Sequence, residues 1–202
     1  MMNFIKNNFN FKIYGVTWFA IINAILILPC IMFLPERFGY ENGLLENIQM
    51  FILFLGLCFS FSAKSDKRFF VFVGLVLVIL ILREVNCGRT LFFQVPGVEN
   101  AYYSWKEIKY GYLAHPIYGA FIASVAIYFL KNKLFINLWN YIKKTKLPVW
   151  NILFMFVGMG LGLFAEHSMH NMVWEEITEL LFYTSLVGII WLYSRNRDFT
   201  IA

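Results

Sequence analysis

The chain turns apolar at Tyr14 and stays so to Leu34, and comparable runs follow over Leu44–Phe61, Phe69–Val85, Tyr112–Leu130, Pro148–Ala165 and Trp174–Tyr193. These runs are continuous blocks, without the apolar–polar alternation of a half-buried strand or of a barrel strand. About 20 apolar residues in a helix cross a hydrocarbon core of about 30 Å, and in lipid only helices and closed barrels satisfy their own backbone groups. The pattern therefore predicts an all-α, polytopic membrane helix bundle of about six transmembrane helices. The third block is short before its first charge and is expected to continue toward Phe92. With no repeat, low-complexity tract or soluble segment between the blocks, residues 1–202 read as a single integral membrane domain.

Composition agrees with the pattern. Residues are 60% hydrophobic and only 14% charged, against about a quarter charged in soluble domains. Charge placement adds a direction. Of 17 Lys and Arg residues, 12 lie on the side of the termini and 5 on the other, at Arg37, Arg83, Arg89, Lys106 and Lys109. By the positive-inside rule both termini are expected in the cytoplasm, in a multi-pass protein of the cell inner membrane. The carboxylates are distributed oppositely: of 12, only Asp66 and Asp198 lie on the inner side. Lys6 and Lys12 precede a run too long for a signal-peptide core, so no cleavable signal is expected. Three cysteines without a CxxC pairing give no disulfide framework. The basic residues sit in short loops, which suits anionic headgroups rather than nucleic acid. Membrane lipids are the expected partners, with a homo-oligomer or a cytoplasmic protein partner left open.

Candidate chemistry starts at "LVILILREVNCGRT", Leu77–Thr90. Arg83 lies 14 residues beyond Phe69, about 21 Å along a helix axis, so its charge falls in the outer leaflet. An unpaired charge at depth costs at least about 2.5–3.5 kcal/mol. Adjacent residues point about 100° apart on a helix, so Arg83 and Glu84 are expected to be buried and to pair with other helices. The available partners all lie in the outer half: Glu46 and Gln49, three apart on one face of the second span; His115 ahead of Pro116; and Glu166, His167, His170, Asn171, Glu175, Glu176 and Glu179 in "FAEHSMHNMVWEEITEL". Glu175 in a first helical turn is explained by the helix dipole alone, and Glu41 by an ordinary turn. Glu46, Arg83, Glu84, His115, His167, His170 and Glu179 are expected to converge on one cavity.

Two chemistries fit such a cavity. His167 and His170, with His115 or Glu179 as a third ligand, would hold a divalent metal such as zinc with one position open for water, although the HExxH pattern is absent. Without metal, Arg83, Arg89, Gln49 and Asn171 would hold a ligand while Glu84, Glu179 or Glu46 served as acid or base. The aromatic connection from Asn86 to Gly111 is long for an unstructured loop and is expected to lie on the outer surface, partly covering the cavity. Gly158 and Gly162, spaced by four, provide a close-packing helix face.

Together "ENGLLENIQ", "REVNCGRTLFF" and "WEEITEL" resemble small, uncharacterised bacterial polytopic inner-membrane proteins that carry an RE-x-x-x-G-R box; that resemblance covers much of the chain and implies no activity. His167 to Asn171 is similar to the His-x-x-x-Asn element of CAAX-protease-like intramembrane metalloenzymes. The other elements of that family depart here: Glu84 stands as one Glu rather than two, Arg89 follows five residues on, and Gly111 stands where a Phe would precede His115. The paired His and Asp pattern of ceramidase-like hydrolases is not present. Two readings follow: a lipid- or peptide-directed membrane enzyme working at the outer leaflet, or a non-enzymatic subunit, a ligand sensor or pore-lining component, that docks a partner through its basic loops. No inverted repeat or pair of broken midplane helices points to transport.

The orientation is testable in a background with Cys30, Cys58 and Cys87 replaced. Single cysteines at Asn42, Asn100 and Ser168 should react with impermeant maleimide added to intact cells, and one at Lys144 should not. The reverse pattern would invert the topology.

Overall fold

A computed structural model of the protein describes residues 8–64, 66–169, 171–195 and 199. Its helices are α1 (Gly15–Phe33), α2 (Leu44–Phe61), α3 (Lys67–Glu84), the single turn α4 (Arg89–Phe92), α5 (Ala114–Lys131), α6 (Leu134–Lys144), α7 (Val149–Phe164) and α8 (Met172–Arg195). Five helical segments are long and apolar enough to cross a membrane, and a sixth is if α3 and the turns after it form one bent span. The architecture is an all-helical bundle of the kind a multi-pass membrane protein requires.

The third span does not continue straight toward Phe92 as its hydropathy suggested. The axis bends by 57° between Lys67–Glu84 and Asn86–Phe92. Asn86, Cys87 and Gly88 take φ of 43°, 53° and 89°, a left-handed run that ends an α-helix. The chain thus turns at the point where Arg83 and Glu84 would otherwise enter a straight apolar span.

Two further elements escaped the apolar pattern. The strands β1 (Phe9–Asn10) and β2 (Leu147–Pro148) pair in parallel, Phe9 with Leu147 and Asn10 with Pro148. Trp150 Nε1 reinforces this tie by donating to the Phe11 carbonyl at 2.9 Å. Helix α6 is amphipathic and too short to cross a membrane. It buries Leu134 and Tyr141 and exposes Phe135, Leu138 and Trp139, with the Lys143 ammonium 4.6 Å from the Trp139 ring. Asn137 Nδ2 fixes it to Asp66 Oδ2 at 2.6 Å. An exposed apolar side with flanking lysines suits a membrane interface.

The bundle is built around α8. It buries 12 residues, spread around its circumference, whereas α5 buries Val125 alone. The reason is chemical. Helix α8 carries Glu, Thr, Ser and Tyr side chains that need protein partners, while α1 presents Phe19, Ile25, Leu28 and Met32 outward. Polar side chains in apolar spans face other helices because lipid offers them no hydrogen bonds. Between α1 and α7, Thr17 Oγ1 donates to Asn151 Oδ1 at 2.7 Å. Leu53, Leu77, Tyr183 and Ile190 form a core where α2, α3 and α8 meet.

Gly158 lets α7 approach α8. A Cβ there would stand 2.6 Å from the Phe182 nitrogen, a backbone atom, while at Gly160 it would meet nothing within 4 Å. Gly158→Val should lower stability by about 1–3 kcal/mol through overpacking, and Gly160→Ala should leave it nearly unchanged. Thermal unfolding of the two variants in detergent checks this; equal midpoints would remove the close contact from the account.

Candidate functional site

At the end of the bundle opposite the α6 lysines, a cavity of about 470 Å³ opens between α2, α3 and α8. Six carboxylates line it, Glu41, Glu46, Glu84, Glu175, Glu176 and Glu179, together with the guanidiniums of Arg83 and Arg89. Gly39 completes one wall. A Cβ on it would lie 2.6 Å from the Met172 carbonyl carbon, so its lack of a side chain lets the turn before α2 pack on the start of α8.

Arg83 links two helices. Its Nη2 is 2.8 Å from Glu179 Oε1, and its Nη1 donates to the Tyr183 hydroxyl at 3.3 Å. That hydroxyl in turn donates to Glu84 Oε1 at 2.5 Å. Glu179 and Tyr183 are four apart, one turn on the same face of α8, so α8 meets the end of α3 with an acceptor and a donor in line. Two expectations are corrected here. Arg83 and Glu84 do approach one another, Nη1 to Oε1 at 3.6 Å, because both reach toward the same Tyr183 hydroxyl. Arg83 is also not buried: 52% of its side chain remains exposed, against 7% for Glu84. Its guanidinium faces the cavity while the carboxylates behind it are enclosed.

Arg89 organises the rim. Its Nη2 lies 3.6 Å from Glu41 Oε2, and the group sits 5.9 Å from the Tyr102 ring centre. The Asn86 side-chain oxygen, in the amide orientation that satisfies both groups, accepts from Arg89 Nε and Nη2 at 3.1 and 2.8 Å. The long connection closes over this corner. It turns at Gly97, and its two sides meet antiparallel at Gln94 and Tyr102; the Tyr102 hydroxyl donates to the Glu41 carbonyl at 2.8 Å, and Asn100 Oδ1 accepts from Glu41 N at 3.2 Å. Burial and the nearby Glu41 and Glu46 carboxylates push the Tyr102 phenol up, so it stays protonated and keeps donating. Further along, the Ser104 backbone N–H donates to Glu107 at 2.7 Å and holds that carboxyl below its ordinary value.

The remaining carboxylates differ in what they touch. Glu46 accepts from the Asn42 backbone N–H in the first turn of α2. Gln49 is fully buried, and its Nε2 donates to both the carbonyl and the side chain of Glu176, each at 2.8 Å. Its own Oε1 has no partner among the described residues. Glu175, in the first turn of α8, has no ion pair within 4 Å among the described residues.

Neither described histidine, His115 or His167, lines this cavity. His115 packs edge-on against Trp105, ring centres 5.7 Å apart. His167 is exposed and turns its Nδ1 to the Leu163 carbonyl at 3.0 Å. His170 lies outside the described residues. Asn171, a candidate ligand-binding residue, caps α8 by accepting from Trp174 N at 2.9 Å. Among the described residues no group of three or more His, Cys, Asp or Glu is placed to hold a metal ion. The structure therefore brings together Glu46, Glu84, Glu176, Glu179, Arg83 and Arg89 from the sequence reading, with Gln49 behind them; it also places in the site Glu175 and Glu41, which the sequence reading assigned to a helix dipole and a turn, and adds Asn100, Tyr102 and Tyr183. Tyr183 carried a signal, its four-residue spacing from Glu179. Glu41, Asn100 and Tyr102 carried none, because their meeting depends on how the long connection folds back. No family model matches the chain, and neither a curated protein nor a solved structure matches it.

Removing Arg83 leaves two enclosed carboxylates without their cation. Arg83→Ala should lower stability by about 1–3 kcal/mol, the cost of stranding such acceptors. Arg37→Ala at the exposed turn should fall within about 0.5 kcal/mol of the parent. The double variant Arg83→Ala/Glu179→Gln should lose less than the sum of its singles. Additivity in thermal unfolding would show that the pair contributes no coupling.

Proposed function

We propose that this protein is a multi-pass inner-membrane protein that binds, in an outward-facing cavity, the ammonium-bearing polar group of a lipid or peptide. The observation that supports this is the imbalance in the cavity: six carboxylates face two guanidiniums, and both guanidiniums already have carboxylate partners. A concave site lined by one sign of charge concentrates ligands of the other sign. The exposed half of Arg83 adds donors for a phosphate or carboxylate on the same ligand, so a zwitterionic group suits the site better than a simple cation. The outward direction and cytoplasmic termini rest on the 12-to-5 division of Lys and Arg.

An enzymatic reading is favoured by one contact, the 2.5 Å approach of the Tyr183 hydroxyl to Glu84 Oε1. A phenol donating to a carboxylate beside Arg83 is the arrangement of a general acid–base pair. The described lining residues offer no Ser, Thr, Cys or His nucleophile, so the chemistry would be proton transfer by carboxylates.

Calorimetric titration of the purified protein with dihexanoyl phosphatidylethanolamine and dihexanoyl phosphatidylglycerol tests the binding reading, since the two share chains and phosphate. The ammonium lipid should bind about tenfold more tightly, a difference of about 1.4 kcal/mol, and Glu175→Gln should remove most of that preference. Equal affinities would overturn the reading. Turnover abolished by Glu84→Gln and Tyr183→Phe with binding retained would establish the enzyme.

A further inference from the structure

A second cavity, of about 600 Å³, lies on the other side of the α3 elbow. Val78, Leu82 and Cys87 line it from α3 and the elbow, Ile117 and Phe121 from α5, and Trp105 from the long connection. Its volume falls in the range of about 300–1,000 Å³ typical of ligand sites, and its lining is almost wholly apolar. Its one charged lining residue among those described is Lys109. Its ammonium stands 5.3 Å from the Tyr110 ring centre, and no carboxylate among the described residues lies within 4 Å of it.

We propose that this groove is a phospholipid site, holding one hydrocarbon chain between α3 and α5 with the lipid phosphate against Lys109. Three observations carry it. First, an open cavity lies between α3 and α5 here, and α5 buries Val125 alone. Packed interiors leave few voids of this size, because unfilled space forfeits dispersion contacts, so in a bilayer the gap takes hydrocarbon. Second, the cation stands at the connection-loop side of the groove, with no carboxylate partner among the described residues, where a lipid's anionic group would meet it. Third, the wall carrying Trp105 and Lys109 is held in place. A Cβ on Gly111 would overlap the Trp105 carbonyl oxygen at 2.1 Å, and Gly111 N donates to the Ile108 carbonyl at 2.9 Å. Tyr118 on the opposite wall donates to the Ile79 carbonyl at 3.1 Å, anchoring α5 to α3 beside the groove. This inference is independent of the acidic cavity and stands whichever headgroup that cavity takes.

Cys87 provides a native probe. With Cys30 and Cys58 replaced by Ser, delipidated protein in detergent is reacted with a lipophilic maleimide, with and without dioleoyl phosphatidylglycerol. The labelling rate should fall about tenfold at lipid about ten times its dissociation constant, since only unoccupied sites react. Glycerophosphoglycerol, which lacks chains, should give no protection. Lys109→Ala should raise the lipid needed about fivefold, and Ile117→Trp, which fills the groove, should abolish protection. Should Ile117→Trp not fold, native mass spectrometry of Lys109→Ala replaces it and should show less retained phospholipid than the parent. An unchanged rate with lipid, or protection by the chainless headgroup alone, would overturn the proposal.

Discussion

Helix α8 places three carboxylates, Glu175, Glu176 and Glu179, within two turns of an otherwise apolar span. None can face hydrocarbon without a large penalty. That constraint orders the bundle. The helix that carries them becomes its axis, α2 must bring Gln49 against Glu176, and α3 must end where Arg83 reaches Glu179. The elbow after Glu84 follows, since a straight continuation would carry Arg89 away from Glu41 and the rim. Even the glycine at position 39 belongs to the same requirement, because the chain before α2 has to lie directly on the start of α8.

The helical architecture was legible because hydropathy reports the solvent, and lipid is a demanding one. The positions of the long helices depart from the apolar blocks by only a few residues. The need of Arg83 for a partner on another helix was legible for the same reason and is met by Glu179, whereas its burial was not, since the side chain faces the cavity half exposed. What the pattern could not show were features set by backbone conformation or by distant chain segments. The left-handed run from Asn86 to Gly88 has only one glycine to announce it. Helix α6 has too few apolar residues to register as a span, and its amphipathic period was masked by the lysine clusters around it. His115 and His167 misled because lying in the same outer half as the carboxylates suggested a shared site, whereas His167 is exposed with its Nδ1 on the Leu163 carbonyl and the long connection holds His115 against Trp105.

The cavity is unusual in how its donors are spent. Arg83 and Arg89 are each bound on one side to glutamates and open on another, so they act as organisers of carboxylates before they act on any ligand. Replacing either would change the positions of several acidic groups as well as one charge. This separates the site from a simple anion pocket, in which arginines project freely and acids are kept away. It also separates it from a purely structural ion pair, which needs no open volume beside it.

The three consecutive left-handed residues of the elbow have a consequence for how this chain could change over time. They fix the number of residues between Arg83 and Arg89 as well as their direction. One added or lost residue there would swing Arg89 about a quarter of a turn or more and carry it away from Glu41. Length variation is therefore closed to this short segment, while the exposed tip around Pro96–Val98 could lengthen with little effect on the fold. Insertions accumulated in descendants of this chain would then map the elbow as a fixed ruler and the tip as free cord.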